Sequence, residues 1–159
     1  MLLKELADAI PDSRIVRRGK SSMVELGRRL GDDGIGHAIA VYRWHGGPGR
    51  IDLFNVNAAG LEHVPPSILL KFVKLRREYS TTGRYVCSCI TYGNASAATR
   101  RLGHAMSSVL ELPEMQSAEN TACSLHLRNV NKESAEAVVT SPAGVRDVGP
   151  KLVIFDQVW

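Results

Sequence analysis

Cysteine is scarce in this sequence, which contains only Cys87, Cys89 and Cys123. Their number is odd and no pair has Cys-x-x-Cys spacing, so neither a disulfide framework nor a zinc ribbon is predicted. The five histidines are scattered along the chain, and none stands at metal-ligand spacing from another histidine or from a cysteine. We therefore expect buried, reduced thiols in a cytoplasmic protein that holds no metal and no other cofactor.

Long apolar runs are also absent, since no stretch approaches the roughly 20 residues that a membrane-spanning helix needs. Lys4 is accompanied by Glu5 and Asp8, which is not the pattern of a secretory signal. The 159 residues, 44% of them hydrophobic and 23% charged, are ordinary for a soluble globular protein. This length suits one domain, or two small halves that share a core, and no membrane partner is expected.

A recognisable catalytic pattern is missing as well. Gly19-Lys20-Ser21 matches the end of a phosphate-binding P-loop, but that motif needs a glycine five residues earlier, where this chain has Arg14. Ser21 and Ser22 have no candidate base close to them in the sequence. We therefore predict a non-enzymatic protein without catalytic residues.

Positive charge is concentrated in the first half of the chain. The net charge is +4, and residues 1–80 carry 13 basic and 9 acidic side chains whereas residues 81–159 carry 7 of each. The whole excess therefore lies before residue 81. This asymmetry favours an anionic partner for the first half.

The stretch from residue 11 to residue 26 predicts a basic corner between a strand and a helix. The β-branched residues Ile15 and Val16 favour a strand over residues 14–18, and Gly19 permits the sharp turn that ends it. Ser21 or Ser22 then caps a helix that runs to about residue 30, with Gly31 as its C-cap. Helix N-termini and cations both attract anions, so the corner suits phosphate; the alternative is a solvated turn that happens to be charged.

The rest of the chain alternates strands and helices, which predicts an α/β fold with a mixed sheet. The other predicted helices cover residues 2–10, stopped by Pro11, a stretch from Asn94 or Ser96 to Leu112, and a short stretch from about 132. The other predicted strands cover residues 37–44, 50–55, 68–75, 85–90, 124–130 and 152–158, with a hairpin turn at 46–49. Residues 68–75 are apolar at nearly every position, which indicates a strand buried on both faces.

Three motifs together resemble the Brix-domain family of ribosome-biogenesis proteins, in the short single-domain form found in archaea. They are Arg18-Gly19-Lys20-x-Ser22, the hairpin Gly47-Pro48-Gly49-Arg50, and Gly149-Pro150-Lys151 before the final strand. The resemblance touches most of the chain and is firm over the first third. It implies one Brix domain over 1–159, made of two similar halves with mixed sheet and packed helices, at about 1–80 and 81–159. Each half would resemble the anticodon-binding domain of class II aminoacyl-tRNA synthetases.

One departure from the family concerns the N-terminus. Family members usually begin with a strand and a basic segment before the first helix, whereas this chain opens directly in a helix. Either the first strand has been lost or the natural start lies upstream, so the sheet of the first half is expected to be one strand short. Two echoes within the chain agree with similar halves: residues 125–134 echo 15–22, and residues 151–156 echo 50–55. Chance remains the alternative explanation for them.

Arginine dominates the candidate RNA-binding residues, as suits bidentate contacts to phosphate. They are Arg14, Arg17, Arg18, Lys20, Arg43, Arg50, Arg100 and Arg101. Gly19 and Gly49 are the predicted structural turn residues, and Arg100-Arg101 resembles a basic segment of the family. Tyr42 and Trp44 flank Arg43, where an exposed ring would stack on an unpaired base; the alternative is packing in the core.

These observations predict a non-catalytic RNA-binding protein that acts on rRNA or pre-rRNA during small-subunit assembly, with other ribosome-assembly proteins as further candidate partners. Two other classes remain open. The strand at 68–75 would add to a partner's sheet in a protein-interaction module. A small nucleotide-handling or phosphoester-handling enzyme would instead need Lys20 for turnover.

Overall fold

The computed structural model describes residues 1–44, 46–79, 81, 83–117, 122–131, 134–142 and 146–159. Its helices are α1 (Leu2–Ala9), α2 (Met23–Asp32) and α3 (Ala97–Leu110), with a 3-10 turn at Arg76–Tyr79. Its strands are β1 (His37–Trp44), β2 (Gly47–Asn57), β3 (Gly60–Lys74), β4 (Cys87–Tyr92), β5 (Glu114–Met115), β6 (Cys123–Asn129), β7 (Ala135–Thr140) and β8 (Asp147–Val158). None of the helices so described is long and apolar enough to cross a bilayer.

The strands of the described residues form one mixed sheet in the order β1-β2-β3-β8-β7-β6-β4-β5. β1, β2 and β3 make one antiparallel meander, and β6, β7 and β8 make another. The two meanders meet where β3 pairs antiparallel with β8. β4 pairs in parallel with β6 on one side and with β5 on the other. The sheet therefore joins the early and late parts of the chain through its centre.

The core lies between this sheet and helices α1 and α3. Leu102, Met106 and Val109 form the apolar stripe of α3, and they pack in one buried cluster with Leu53 of β2 and Leu127 of β6. Leu2 and Ala9 of α1 belong to the same cluster. α1 is also fixed by a polar contact, because the buried carboxylate of Glu5 accepts a hydrogen bond from the backbone N–H of Arg76 at 2.7 Å.

Helix α2 begins at a serine cap and crosses the sheet very closely. The Ser22 hydroxyl oxygen accepts the backbone N–H of Glu25 at 3.1 Å, which satisfies one free donor of the first turn. A Cβ at Gly27 would lie 2.6 Å from the backbone nitrogen of Leu61 and 2.8 Å from the backbone of Gly60. Glycine at position 27 is therefore what lets α2 pack against the start of β3.

Most predicted elements are confirmed, and the fold is α/β with a mixed sheet. The helices predicted from residue 2, from Ser22 and from Ser96 form, as do the strands predicted at 37–44, 50–55, 68–75, 85–90, 124–130 and 152–158. The predicted boundary at 80–83 includes residues 80 and 82, which lie outside the described residues. The likeness of each half to an anticodon-binding domain stays a prediction.

The predicted strand at 14–18 is wrong. Residues 13–18 have no regular secondary structure and belong to no sheet, and the side chains of Ile15 and Val16 are 48% and 38% exposed. β-propensity measures how well a side chain fits a pleated, half-buried surface, so two β-branched residues without a paired neighbour do not make a strand.

Three further expectations are wrong in detail. Gly31 lies within α2, and Asp33 is the C-cap. Gly49 lies inside β2 rather than in the turn, and it is required because a Cβ there would collide with the side chain of Trp44. Burial in β3 alternates over residues 66–70 instead of covering both faces, since Ile68 and Leu70 are buried whereas Ser67 and Leu69 are only partly buried.

The short helix predicted from about residue 132 is also wrong. Residues 132 and 133 lie outside the described residues, and the chain from Ala135 to Thr140 is the strand β7, buried at every position. Lys, Glu and Ala favour a helix locally. The pairing of β7 between β6 and β8 overrides that preference.

Candidate nucleic-acid interface

The basic corner consists of residues 13–18, which have no regular secondary structure, and a turn at Gly19 and Lys20. Ser13 anchors its start, where the hydroxyl donates to the carbonyl oxygen of Ile10 at 2.8 Å. Gly19 has a φ of +62°, a conformation that side chains rarely adopt. Arg17, Arg18 and Lys20 are exposed, and their side chains make no hydrogen bond, ion pair or ring contact within the described part of the chain. The corner thus presents cations that have no internal counter-charge.

Arg14 differs from its neighbours because it is paired within the protein. Its guanidinium lies 2.5 Å from a carboxylate oxygen of Asp33, just beyond α2, and both side chains are about half exposed. An exposed ion pair of this kind contributes little to stability. The pair joins residues 13–18 to the end of α2 and leaves Arg14 with an internal counter-charge.

The second group of predicted residues lies at the end of the β1–β2 hairpin. Arg43 is exposed without a side-chain partner among the described residues, and Trp44 is 71% exposed. Arg50 stacks over the ring of Tyr42 at 4.3 Å and lies 3.0 Å from the buried carboxylate of Asp52. Trp44 is therefore the more exposed of the two aromatic side chains, and Tyr42 is covered by Arg50.

A groove of about 1080 Å³ connects the corner with this hairpin. Arg14, Arg17 and Arg18 line it on the side of residues 13–18, and Tyr42 lines it on the side of β1. The remaining lining residues are mostly apolar. The fold therefore brings the cations at positions 14, 17 and 18 and the ring of Tyr42 to the border of one groove.

Arg100 and Arg101 are not part of this arrangement. They lie in the first half of α3, where Arg100 is 5.1 Å from the ring of Tyr92 and Arg101 is 4.6 Å from the ring of Trp159. Neither lines the groove. The sequence could not foresee that three of its eight candidate cations are stacked on aromatic rings, because these ring contacts depend on the tertiary fold.

A small cavity of about 210 Å³ lies beside the start of α3. It is bordered by Ser96, Thr99, Asn129 and Trp159, among others. The amide oxygen of Asn129 accepts the backbone N–H of Ser96 at 2.6 Å and the Thr99 hydroxyl at 3.1 Å. The polar groups at this helix start are thus bound to one another, and the charged residue among those that line the cavity is the acidic Asp156.

Ser67, His63 and Asp52 meet on strands β2 and β3 in a way that resembles a catalytic triad only in composition. Nε2 of His63 lies 3.3 Å from the Ser67 hydroxyl and 4.0 Å from Asp52. A triad needs the serine and the carboxylate on different nitrogens of the ring, so that one is activated and the other orients the ring. Both face the same nitrogen here, and this group therefore lacks the geometry for nucleophilic catalysis.

The three cysteines are free and buried. Burial raises the pKa of the Cys87 thiol to about 12, with the neighbouring Cys123 and Cys89 adding to the effect. Burial also raises the pKa of Cys123. The thiols of Cys87 and Cys123 are therefore protonated at neutral pH, which makes them poor nucleophiles. Within the described ranges, no three His, Cys, Asp or Glu side chains group closely enough to hold a metal ion.

An ionic network across β6, β7 and β8 was missed by the sequence reasoning. Arg128 contacts both Glu136 and Asp147, and Lys151 lies 2.8 Å from Asp147 and 3.3 Å from Glu136. Although burial acts to raise the pKa of Asp147, hydrogen bonds and charge from Lys151 and Arg128 lower it. The sequence gives only a weak signal for this network: Arg128 is the charged residue of β6, and Glu136 is the charged residue of β7. The network ties three strands together and leaves no side chain free for a ligand.

Comparisons with known proteins give a fold but no family. No family model matches the chain, and no curated protein does. A probable ribosomal biogenesis protein from Aeropyrum pernix K1 has a similar structure, with a TM-score of 0.79, 20% identity, and coverage of 99% of this chain and 90% of that one. Mil, an archaeal Imp4-like protein, has a TM-score of 0.64 and 18% identity, covering 97% and 87%. This chain therefore shares the fold of both proteins over nearly its whole length.

Proposed function

We propose that this protein is a non-catalytic RNA-binding factor of ribosome biogenesis, acting on rRNA or pre-rRNA in the cytoplasm as one Brix-type domain. The observation that carries the proposal is the set of exposed, unpaired cations Arg17, Arg18 and Lys20 at the corner before α2. Two structural neighbours support the biological process, since one is described as a probable ribosomal biogenesis protein and the other as Imp4-like. Other assembly proteins are the further partners.

The corner would act by neutralising phosphate. Arg17 and Arg18 offer planar guanidinium groups that bind phosphate in a bidentate manner, and Lys20 adds a point charge beside the start of a helix. Arg43 and Trp44, at the end of the hairpin, would meet the same RNA, where the exposed indole ring stacks on an unpaired base. Arg14 and Arg50 already have partners within the protein and would mainly position these groups.

The decisive experiment measures binding of the purified protein to a labelled fragment of small-subunit rRNA across a salt series. The test variant replaces Arg17, Arg18 and Lys20 by alanine. Each lost phosphate contact lowers the slope of log affinity against log salt by about 0.7 to 0.9. We expect the variant to bind more weakly at low salt and to have a slope that is shallower by about two.

A matched control replaces Lys71, Arg77 and Arg146 by alanine. These side chains are also exposed, have no side-chain partner among the described residues, and lie off the groove, so the change in net charge is the same. The proposal requires the control to bind nearly as the wild type does. If both triple variants lose the same affinity and slope, the corner is not a site and only overall charge matters.

A further inference from the structure

The strands β4 and β6 both begin with a cysteine, and their parallel pairing sets the two residues side by side. Cys87 is the Cα partner of Cys123 at the start of this ladder. Neighbouring strands lie about 4.8 Å apart, and a disulfide joins residues whose Cα atoms are roughly 4.4 to 6.8 Å apart. The two backbones are therefore spaced as a disulfide requires.

The side chains of these two cysteines also lie on the same face of the sheet. Because side chains alternate between faces along a strand, Cys123 shares its face with Leu125 and Leu127, which belong to the buried apolar cluster. Cys87 is itself a member of that cluster. Both thiols therefore face the core between the sheet and the helices.

Cys89 provides an internal comparison, because it lies on the opposite face. Its neighbour Ile90 belongs to the apolar cluster, so Cys89 points away from that cluster although it is fully buried. The ladder shifts between Cys87 and Cys89, and Cys89 pairs with Ser124. In agreement with this, the Cys123 thiol raises the pKa of Cys87 more than the Cys89 thiol does, although Cys89 is only two residues away along the chain.

The pair lies at the end of the ladder, where a small reagent gains access most easily. The Ser88 hydroxyl donates to the carbonyl oxygen of Cys123 at 3.3 Å, which joins the starts of the two strands. The preceding residue Val86 is 44% exposed. Strand ends open locally at a lower free energy than the core does, so the pair becomes accessible without unfolding of the whole protein.

We propose that Cys87 and Cys123 form a reversible disulfide when the protein meets a small disulfide such as glutathione disulfide. The structure contains the reduced form, in which both thiols are free. This site is separate from the RNA contact proposed above, and it does not depend on that function.

The reaction is a pair of thiol–disulfide exchanges. Cys123 loses its proton and attacks one sulfur of glutathione disulfide, which releases the first glutathione as a thiolate. Cys87 then loses its proton and attacks the Cys123 sulfur of the mixed disulfide, which releases the second glutathione. The protein loses two S–H bonds and gains one S–S bond, and two molecules of reduced glutathione carry away both protons and both electrons.

The new bond would close the crossover that connects β4 to β6 through α3 and β5. A cross-link over a loop of this kind restricts the unfolded chain and so stabilises the folded protein. For a chain of this length we expect the midpoint of thermal unfolding to rise by about 5–10 °C.

The experiment treats the folded full chain with glutathione disulfide, blocks the remaining thiols by alkylation, and measures the intact mass and a tryptic map without reduction. Cleavage after Arg84, Arg100 and Arg101 places Cys87 and Cys89 in the peptide 85–100 and Cys123 in the peptide 102–128. Cys89→Ala makes the assignment unique. Cys87→Ala is its matched counterpart, since it makes the same substitution two residues away in the same strand.

We expect the wild type and Cys89→Ala to lose two hydrogen atoms, to give the linked peptides 85–100 and 102–128, and to unfold at a higher temperature after oxidation. Cys87→Ala should stop at the glutathione adduct and show no such rise, and dithiothreitol should reverse every change. If a variant fails to fold, fragmentation of the linked wild-type peptides still distinguishes Cys87 from Cys89. The proposal is wrong if the wild type stays reduced, if it collects only glutathione adducts, if Cys87→Ala is cross-linked as readily, or if the bond forms only in denaturant.

Discussion

Gly27 and Gly31 lie one turn apart in α2, yet a methyl group would meet very different surroundings at the two positions. At Gly27 it would press against the backbone of Gly60 and Leu61, whereas at Gly31 its nearest neighbour is a side-chain carbon of Val56 at 3.8 Å. Neither position has a left-handed φ. The pair therefore separates the helix propensity of alanine from the steric effect of its methyl group.

Gly27→Ala should lower the free energy of unfolding by about 1–3 kcal/mol, because a backbone clash cannot be relieved by a rotamer change. Gly31→Ala should raise it by up to about 1 kcal/mol, since alanine is the better helix former. Chemical denaturation of both variants measures the sign of each change in the free energy of unfolding. Equal effects of either sign would show that α2 does not approach β3 as closely as described.

His126 predicts a pH dependence of stability. Its ring lies 2.9 Å from the Thr91 hydroxyl, and burial lowers its pKa, followed in effect by the positive charge of Arg128. The unfolded chain therefore binds this proton at a higher pH than the folded protein. The stabilisation that comes from keeping His126 neutral in the folded protein is fully present above about pH 6.5. It is lost progressively as the pH falls below that value.

His126→Asn should remove the pH-dependent part of the free energy of unfolding that comes from His126. Unfolding free energies measured between pH 7.5 and pH 5 should fall less steeply for the variant than for the wild type. The carboxyl pKa of Asp147 is also lowered, but the resulting change in stability falls near and below pH 4. It therefore does not affect the range between pH 7.5 and pH 5. Identical slopes for the two proteins would contradict a lowered pKa at His126.

Helices were predicted well because their signals are local. A capping serine and an apolar stripe lie within one stretch of chain, so Ser22 and Ser96 mark two starts correctly. Strands depend on partners that are remote in sequence. Ile15 and Val16 have strand-forming side chains without a paired neighbour, and the chain after Lys132 has helix-forming side chains but pairs on both sides as β7.

The cap at Ser22 can be tested without touching the core. Ser22→Ala removes the acceptor of the Glu25 N–H and should lower the free energy of unfolding by about 1 kcal/mol. Ser22→Asp keeps an acceptor oxygen and should leave stability nearly unchanged. Thermal denaturation of both variants distinguishes loss of the cap from loss of the serine itself.

On the scale of the whole molecule, the pairing of β3 with β8 makes the two meanders one sheet. Leu53 in β2 and Leu127 in β6 are each fully buried in the same apolar cluster, although they come from opposite parts of the chain. We expect Leu53→Ala and Leu127→Ala each to cost about 2–5 kcal/mol and to shift one shared unfolding transition. Two separate transitions would show that the halves fold independently.

The candidate site was predicted in composition but not in arrangement. The cations at 17, 18 and 20 were identified because Gly19 and the capping serine define a corner in the sequence. The contacts of Arg50, Arg100 and Arg101 with aromatic rings form between residues that are remote in the sequence or belong to different elements.

Both tryptophans of this protein lie at its surface, and this has an optical consequence. Trp44 is 71% exposed beside Arg43, and Trp159 is 52% exposed beneath the guanidinium of Arg101. Since neither indole is in the core, unfolding should change the wavelength of tryptophan emission only slightly. Emission from Trp44 will instead follow the solvent next to the hairpin, so that the protein carries its own fluorescent reporter at the proposed RNA contact.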